Sequence, residues 1–316
     1  MSAIATVAIA IFVSWLVLLA VTRPGRLPQD TPNTRSLHQS SVPRGGGIAI
    51  WAGTLAASPL VAPPLPWLAP LLLVILVSHW DDRHGVSVAL RLATQVFAAL
   101  AWLGFPALGA PSLLAVLAIV WMANLYNFMD GSDGLAAAMA VIGFGAYAWA
   151  ATIAGAPSAQ VSLAIAAATL PFLARNFPPA RIFLGDVGAV PLGFMAAVLG
   201  LDGIASGYWP WWFPPLVFLP FIADATITLA RRLLTGCNVA RAHRDHYYQR
   251  LVRLGLGHRG TLVLYVALMF GTALSAIAAL PRNPVAGATI LPLWTLGLLL
   301  LYVEIGYHWR NNQGIE

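Results

Sequence analysis

The stretch Asn124-Leu125-Tyr126-Asn127-Phe128-Met129-Asp130-Gly131-Ser132-Asp133-Gly134-Leu135 holds the densest chemistry in the chain. Two amides and then two carboxylates recur at every third position as an apolar run ends. Glycine after each aspartate permits φ > 0 and lets a ligand approach the backbone closely. A tight Asx-type turn needs the aspartates but not the two upstream asparagines. A second set, Ser78-His79-Trp80-Asp81-Asp82-Arg83, places two carboxylates side by side. Adjacent helical residues point about 100° apart, so an ideal helix cannot aim both at one ion. One is left to reach a metal or substrate while the other pairs with Arg83 or Arg91. A third set, Arg175 to Gly188, offers the amide of Asn176, the ring of Phe183 and the carboxylate of Asp186 entering a helix, where Asp186 also fits an N-cap. The fourth set, Arg241-Ala242-His243-Arg244-Asp245-His246-Tyr247-Tyr248-Gln249-Arg250, has two histidines spaced to share a helical face. Histidine and arginine together suit phosphate oxygens, and a basic segment lying on anionic headgroups is the other reading. Without cysteine ligands it does not read as a zinc site.

The chain has 11 acidic residues, so their clustering carries weight. Carboxylates converging on one face repel one another unless a cation sits among them. All-oxygen donors favour Mg2+, with Mn2+ as the alternative. Asp224 stands apart, a turn or two inside an apolar run, where a carboxylate is costly and faces a cavity, a partner or an ion.

The elements that must position these groups are membrane helices. Of 316 residues, 59% are hydrophobic and 9% charged, against about 25% charged in an ordinary soluble domain. The mean hydropathy is +0.78. A soluble globule and a disordered chain are both excluded. Apolar blocks of roughly 15–22 residues match the hydrocarbon thickness. We read an all-α polytopic membrane protein of about eleven transmembrane helices. They lie near 3–22, 46–63, 65–79, 89–105, 112–127, 135–154, 160–174, 187–205, 211–230, 260–280 and 285–305, and the short second and third leave a re-entrant pair open. The breaks are rich in proline and glycine, as at Pro63-Pro64-Leu65-Pro66 and Pro281-Arg282-Asn283-Pro284. There is no lysine, and the pI near 10 comes from 17 arginines. Nucleic-acid binding is the soluble-protein reading of such charge, but basic residues also mark the cytoplasmic side of membrane proteins. With the N-terminus outside and the C-terminus cytoplasmic, every arginine except Arg282 falls on the cytoplasmic side. Residues 3–22 lack a basic leader and read as a retained first helix. The single cysteine, Cys237, excludes an intrachain disulfide. No repeat is visible, and residues 1–316 read as one domain with cytoplasmic loops near 23–45, 80–90, 128–134, 175–186 and 231–259.

Together these motifs resemble the polyprenyl-phosphate N-acetylhexosamine-1-phosphate transferases (glycosyltransferase family 4), relatives of the phospho-N-acetylmuramoyl-pentapeptide translocases. The likeness runs from Pro32 to about Leu251, and Asn124 to Leu135 is its most specific part. The early stretch Pro32-Asn33-Thr34-Arg35-Ser36-Leu37-His38, with Pro43-Arg44-Gly45-Gly46-Gly47, resembles the branch that initiates O-antigen and related surface polysaccharides, as does the segment from Ala242 to His246. The translocases carry a run of histidines and an early lysine that this chain lacks. N-acetylglucosamine-1-phosphate enzymes carry His-x-His-His where this chain has Asp245 in third place. The resemblance implies transfer of a HexNAc-1-phosphate from a UDP-sugar to undecaprenyl phosphate with release of UMP, in the bacterial cytoplasmic membrane, with the active site facing the cytoplasm. It implies Mg2+ at Asp186 and Asp130, and catalytic roles among Asp81, Asp82, Asp130 and Asp133. Substrate contacts would come from Asn124, Asn127, Asn176, Phe183, His243, Arg244, His246 and Arg44. No nucleic-acid partner is expected, and pairing of two copies stays open. The rival readings are an intramembrane Mg-dependent prenyltransferase and a lipid-phosphate transporter. The first should carry two Asp-rich motifs. The second should spread ionisable residues through the bilayer midplane instead of at one face.

Overall fold

Long apolar runs without strand alternation fold as helices throughout the computed structural model, which describes residues 3–32, 37, 40–58, 66–105, 109–237, 243–280 and 284–313. In chain order these are α1 (Ala3–Val21), a short ladder of β1 (Gln29–Asp30) and β2 (Val42–Pro43), α2 (Gly47–Ala57), α3 (Leu68–His84), α4 (Val88–Trp102), α5 (Ala110–Phe128), α6 (Leu135–Ile153), α7 (Ser158–Asn176), α8 (Asp186–Ala205), α9 (Phe213–Val217), α10 (Leu219–Leu234), α11 (Tyr247–Leu251), α12 (Gly257–Ala279) and α13 (Pro284–Gln313). The ladder is antiparallel, with Gln29 opposite Pro43. Asn33, Arg35, Ser36 and His38 of the early motif, with Arg241, Ala242 and the links around Pro63 and Arg282, lie outside the described residues.

Each expected span contains a helix, but the helices differ in length. Seven stretches are long and apolar enough to cross a membrane: α1, α5, α6, α7, α8, the run from α11 to α12, which is kinked at Gly255, and most of α13. By contrast α2 has 11 residues, α3 has 17 and α4 has 15. The expected span at 211–230 is divided at Phe218 into α9 and α10. Pro214, Pro215 and Pro220 explain the break, because proline has no N–H to give the preceding turn.

Buried share separates the centre from the rim. In α8, 83% of the most apolar window is buried, against 22% in α1 and 17% in α13. The central helix α8 packs on α2, α3, α5 and α6, and the alanine-rich α6 and α7 pack on each other. Small residues allow this, since without a hydrophobic drive between helices in lipid, close approach supplies the cohesion. A Cβ on Gly47 would stand 2.2 Å from Gly188 Cα, so only glycine lets α2 start against α8. At the far end, Tyr147, Trp209, Phe213 and Phe218 form an aromatic plug. The Tyr147 hydroxyl donates to Ala196 O at 3.1 Å.

The opposite end gathers the C-terminal ends of α3, α5 and α7 and the N-terminal ends of α2, α4, α6, α8 and α11. Two carboxylates hold it together. On α10, Asp224 is fully buried. Its oxygens accept from Tyr247 N and Tyr248 N, each at 3.0 Å, and from the Tyr265 hydroxyl. His246 Nδ1 lies 3.2 Å away. The partner of this costly carboxylate is therefore the N-terminus of α11, whose first N–H groups have no helical acceptor. The helix dipole favours the negative charge there. The Tyr248 hydroxyl then donates to Phe128 O at 2.9 Å, tying α11 to the end of α5.

Removing this carboxylate strands two backbone donors and the hydroxyls of Tyr265 and Thr228. Asp224→Ala is expected to cost about 3 kcal/mol or more, seen as a lower apparent Tm in detergent, with Asp224→Asn falling between it and the wild type. An unchanged Tm in Asp224→Ala would show that α11 docks without this cap.

Candidate active site

The loop entering α8 is assembled from parts distant in sequence. Residues 43–47 run beside 183–184, with Phe183 N–H donating to Pro43 O at 2.8 Å, Gly46 N–H to Phe183 O at 2.9 Å and Gly47 N–H to Leu184 O at 2.9 Å. This ladder delivers Arg44 to Asp186. Helix α8 begins after Gly185, whose φ is +76°. A Cβ there would lie 2.7 Å from Asp82 Oδ2, so both conformation and space demand glycine. The N-terminus of α8 is capped from another helix: Asp82 Oδ1 accepts from Asp186 N and Oδ2 from Val187 N, each at 2.9 Å.

Around this cap lies a charged cluster. Arg44 Nε is 2.9 Å from Asp82 Oδ1, and its Nη2 donates to Asp186 Oδ1. Arg91 Nη1 lies 3.1 Å from Asp81 Oδ2 and 3.3 Å from Asp186 Oδ2. The other Asp81 oxygen accepts from Val86 N at 2.6 Å. Both neighbours reach the start of α8 by different routes: Asp81 pairs with Arg91 and contacts the Asp186 side chain, and Asp82 faces Arg44 and the first N–H groups of α8. Asp130 joins from the α5–α6 loop, accepting from Gly185 N–H. Burial pushes its carboxyl well above the usual range, and the nearby Asp186 and Asp82 push the same way against Arg44.

A cavity of about 300 Å³ opens beside this cluster. Among its lining residues are Asp30, Arg44, Asn127, Asp130, Asp133, Asn176, Phe183, Gln249 and His258. Arg44 belongs both to the cavity wall and to the charged cluster. Asp133 Oδ2 accepts from Ala180 N at 2.9 Å, which draws the 177–183 loop against the α5–α6 loop. Asn176 staples the same loops: its Oδ1 accepts from Gly134 N at 2.9 Å and its Nδ2 donates to Ile182 O at 2.8 Å.

Several residues read from the sequence stand elsewhere. Asn124 Nδ2 donates to Gln95 Oε1 at 2.6 Å and to Val120 O at 2.7 Å, so it links α5 to α4 behind the cavity. His243, Arg244 and His246 do not line the cavity. The segment 243–246 is not helical, because α11 starts only at Tyr247, yet the His243 and His246 rings stack at 5.1 Å. Burial, then His246 and Arg232, lower the His243 pKa to about 4, so that ring is neutral at pH 7 and brings no positive charge. Asp30, Tyr248, Gln249 and His258 were not among the expected site residues. Asp30 is one of only 11 acids, which is a usable signal; His258 opens an apolar helix, and its position in the sequence marks nothing.

The depressed His243 pKa has a stability consequence. The unfolded chain, with the ordinary value of 6.5, binds this proton more readily than the folded one. Its contribution to stability is therefore present above the ordinary value and lost as pH falls through the window from 6.5 to about 4. His243→Gln is expected to flatten this part of the Tm-against-pH curve; identical curves for variant and wild type would exclude the effect.

Residues 65–204, which run from α3 to the last turn of α8 and include every aspartate of the charged cluster, match the family model for glycosyl transferase family 4. The chain is 29% identical to a Bacillus subtilis (strain 168) protein described as a probable undecaprenyl-phosphate N-acetylglucosaminyl 1-phosphate transferase, over 87% of this chain and 82% of that one. It is 28% identical to the undecaprenyl-phosphate alpha-N-acetylglucosaminyl 1-phosphate transferase of Yersinia pestis, covering 88% and 82%. Against the decaprenyl-phosphate N-acetylglucosaminephosphotransferase of Mycobacterium leprae (strain TN) it is 29% identical, covering 82% and 79%. The aspartates that converge on the α8 N-terminus lie inside the region matched by glycosyl transferase family 4, and over most of its length the chain is similar to polyprenyl-phosphate N-acetylglucosamine-1-phosphate transferases.

Proposed function

We propose that the chain transfers a HexNAc-1-phosphate from a UDP-sugar to undecaprenyl phosphate, releasing UMP, as the initiating step of a surface polysaccharide. One observation carries this reading: a polar cavity shares Arg44 with a carboxylate–arginine cluster at one end of an apolar bundle. A water-borne nucleotide and a lipid phosphate can meet only at such a boundary. In the reaction, an acceptor phosphate oxygen forms a bond to the β-phosphorus as the bond from that phosphorus to the bridging oxygen breaks, and UMP departs with that oxygen. Both reactants are anionic, so positioning and charge neutralisation dominate the barrier. Arg44 is the cation placed to do both.

The acceptor phosphate, with its second pKa near 6, is mostly dianionic at neutral pH and needs no base. The bonding of Asp81 and Asp82 agrees with this. Their oxygens hold Val86 N–H, Arg91, Arg44 and the first N–H groups of α8, which suits positioning residues better than proton acceptors. Asp130 and Asp133 remain on the cavity wall, within reach of an occupant.

A divalent cation fits this donor set in a limited sense. Among the described residues no group of three or more His, Cys, Asp or Glu side chains is arranged to hold a metal by itself. Yet even with Asp130 protonated, Asp81, Asp82 and Asp186 outnumber Arg44 and Arg91, which leaves the cluster net negative. Mg2+ commonly uses one or two carboxylates plus substrate phosphates and water. Asp186 and Asp130 would hold it, since each carboxylate oxygen keeps a further lone pair beyond its present bond. When bound, the ion would neutralise the donor pyrophosphate.

Among the described residues, with α9–α10 and α11–α12 each taken as one run, successive helices run alternately towards and away from the site end. Counted as crossings together with the seven long helices, α2, α3, α4 and α10 would bring the total to eleven and would leave the two termini on opposite sides. The arginines near the site support a cytoplasmic active site in a bacterial inner membrane, with the N-terminus outside.

Purified protein in detergent, given undecaprenyl phosphate, MgCl2 and a panel of UDP-HexNAc donors, is expected to release UMP only when acceptor and divalent cation are both present. Asp186→Asn should lower turnover by about a hundredfold or more while keeping the wild-type Tm. Release with no donor in the panel would sink the transferase reading, and full turnover in Asp186→Asn would remove Asp186 from the site.

A further inference from the structure

At the start of α12, His258 and Arg259 reach back to two loops that meet in the cavity wall. Arg259 Nε donates to Pro178 O at 3.0 Å and so holds the loop that carries Phe183. His258 Nδ1 lies 3.3 Å from Asp133 N and 3.0 Å from Ser132 Oγ. A backbone N–H can only donate, so Nδ1 is the acceptor and carries no proton. The neutral imidazole then keeps its proton on Nε2. The Asp133 carboxylate does not compete for Nδ1: Oδ1 is 3.7 Å away, and Oδ2 is bound to Ala180 N. The ring lines the cavity, and its side chain is 21% exposed. Among the described residues Nε2 has no hydrogen-bond partner, so its N–H is left for whatever fills the cavity.

We propose that His258 binds the donor, its Nε2–H donating to an oxygen of the nucleotide portion of the UDP-sugar. Ser132 and the Asp133 backbone hold the ring in the tautomer that makes this possible. The assignment rests on the transferase reading above. The cavity that His258 lines is walled by the amides and oxygens of Asn127, Ser132, Asp133 and Asn176, with the rings of Phe128, Phe183 and Tyr248 among them. That composition suits a nucleotide and offers little to an isoprenyl chain.

The test compares wild type, His258→Ala and His258→Gln in detergent with MgCl2. Calorimetry measures the Kd for UMP, and steady-state assays give KM for the UDP-HexNAc donor and for undecaprenyl phosphate. Loss of one neutral hydrogen bond should weaken UMP binding and raise the donor KM by about tenfold in His258→Ala, leaving the acceptor KM and the Tm unchanged. Glutamine can place an amide N–H near the position of Nε2, so His258→Gln should recover most of the UMP affinity. An active wild type whose His258→Ala variant binds UMP equally well would overturn the assignment alone. So would a joint loss of donor affinity, acceptor affinity and Tm with no recovery in His258→Gln. A wild type that turns over no donor would instead overturn the transferase reading.

Discussion

A helix that begins inside a membrane bundle exposes backbone N–H groups that no water satisfies, and a buried carboxylate is unstable without donors. In this protein each problem solves the other twice. Asp82 on α3 closes the N-terminus of α8, and Asp224 on α10 closes that of α11. Both are charge-assisted hydrogen bonds of backbone N–H to carboxylate, aided by the helix dipole. They fix where the two helices start, and the candidate site is built from those starts.

The first cap sets up the electrostatics. With Asp82 committed to α8, Asp186 stands as the first residue of a helix whose direction is already fixed. Arg44 and Arg91 approach it from a loop and from α4. Asp130 closes the group through Gly185 N–H. Several like charges held so close are stable only because guanidinium groups and helix N–H groups interleave with them. On the transferase reading proposed above, a site that accepts a pyrophosphate and a second phosphate benefits from this arrangement, since its cations are placed before the anions arrive.

The second cap determines the shape of the cavity. It seats α11 so that Tyr248 and Gln249 face the α5–α6 loop, and α12 then brings His258 and Arg259 to the 131–134 and 177–183 loops. His243 and His246 belong to this supporting layer: they stack on each other, and His246 Nδ1 contacts Asp224.

Composition and apolar run length were enough to establish a helical membrane protein, because the hydrocarbon thickness sets helix length and a backbone in lipid must satisfy itself. The spacing of Asn124, Asn127, Asp130 and Asp133 picked out the central loop, and the neighbouring motifs named Asp186, Asn176, Phe183 and Arg44. Roles within those motifs were not legible. Nothing local in the sequence tells that Asn124 turns away to Gln95, that Asn176 staples two loops, or that Asp82 caps a helix starting 104 positions later. His258 was invisible for the same reason: its partners Ser132 and Asp133 lie more than a hundred residues away. Sequence determines which groups a helix end carries, through local periodicity and backbone chemistry. Which helix ends meet is decided only by the packing of the whole bundle, because a hydrogen bond depends on distance in space and not on separation along the chain.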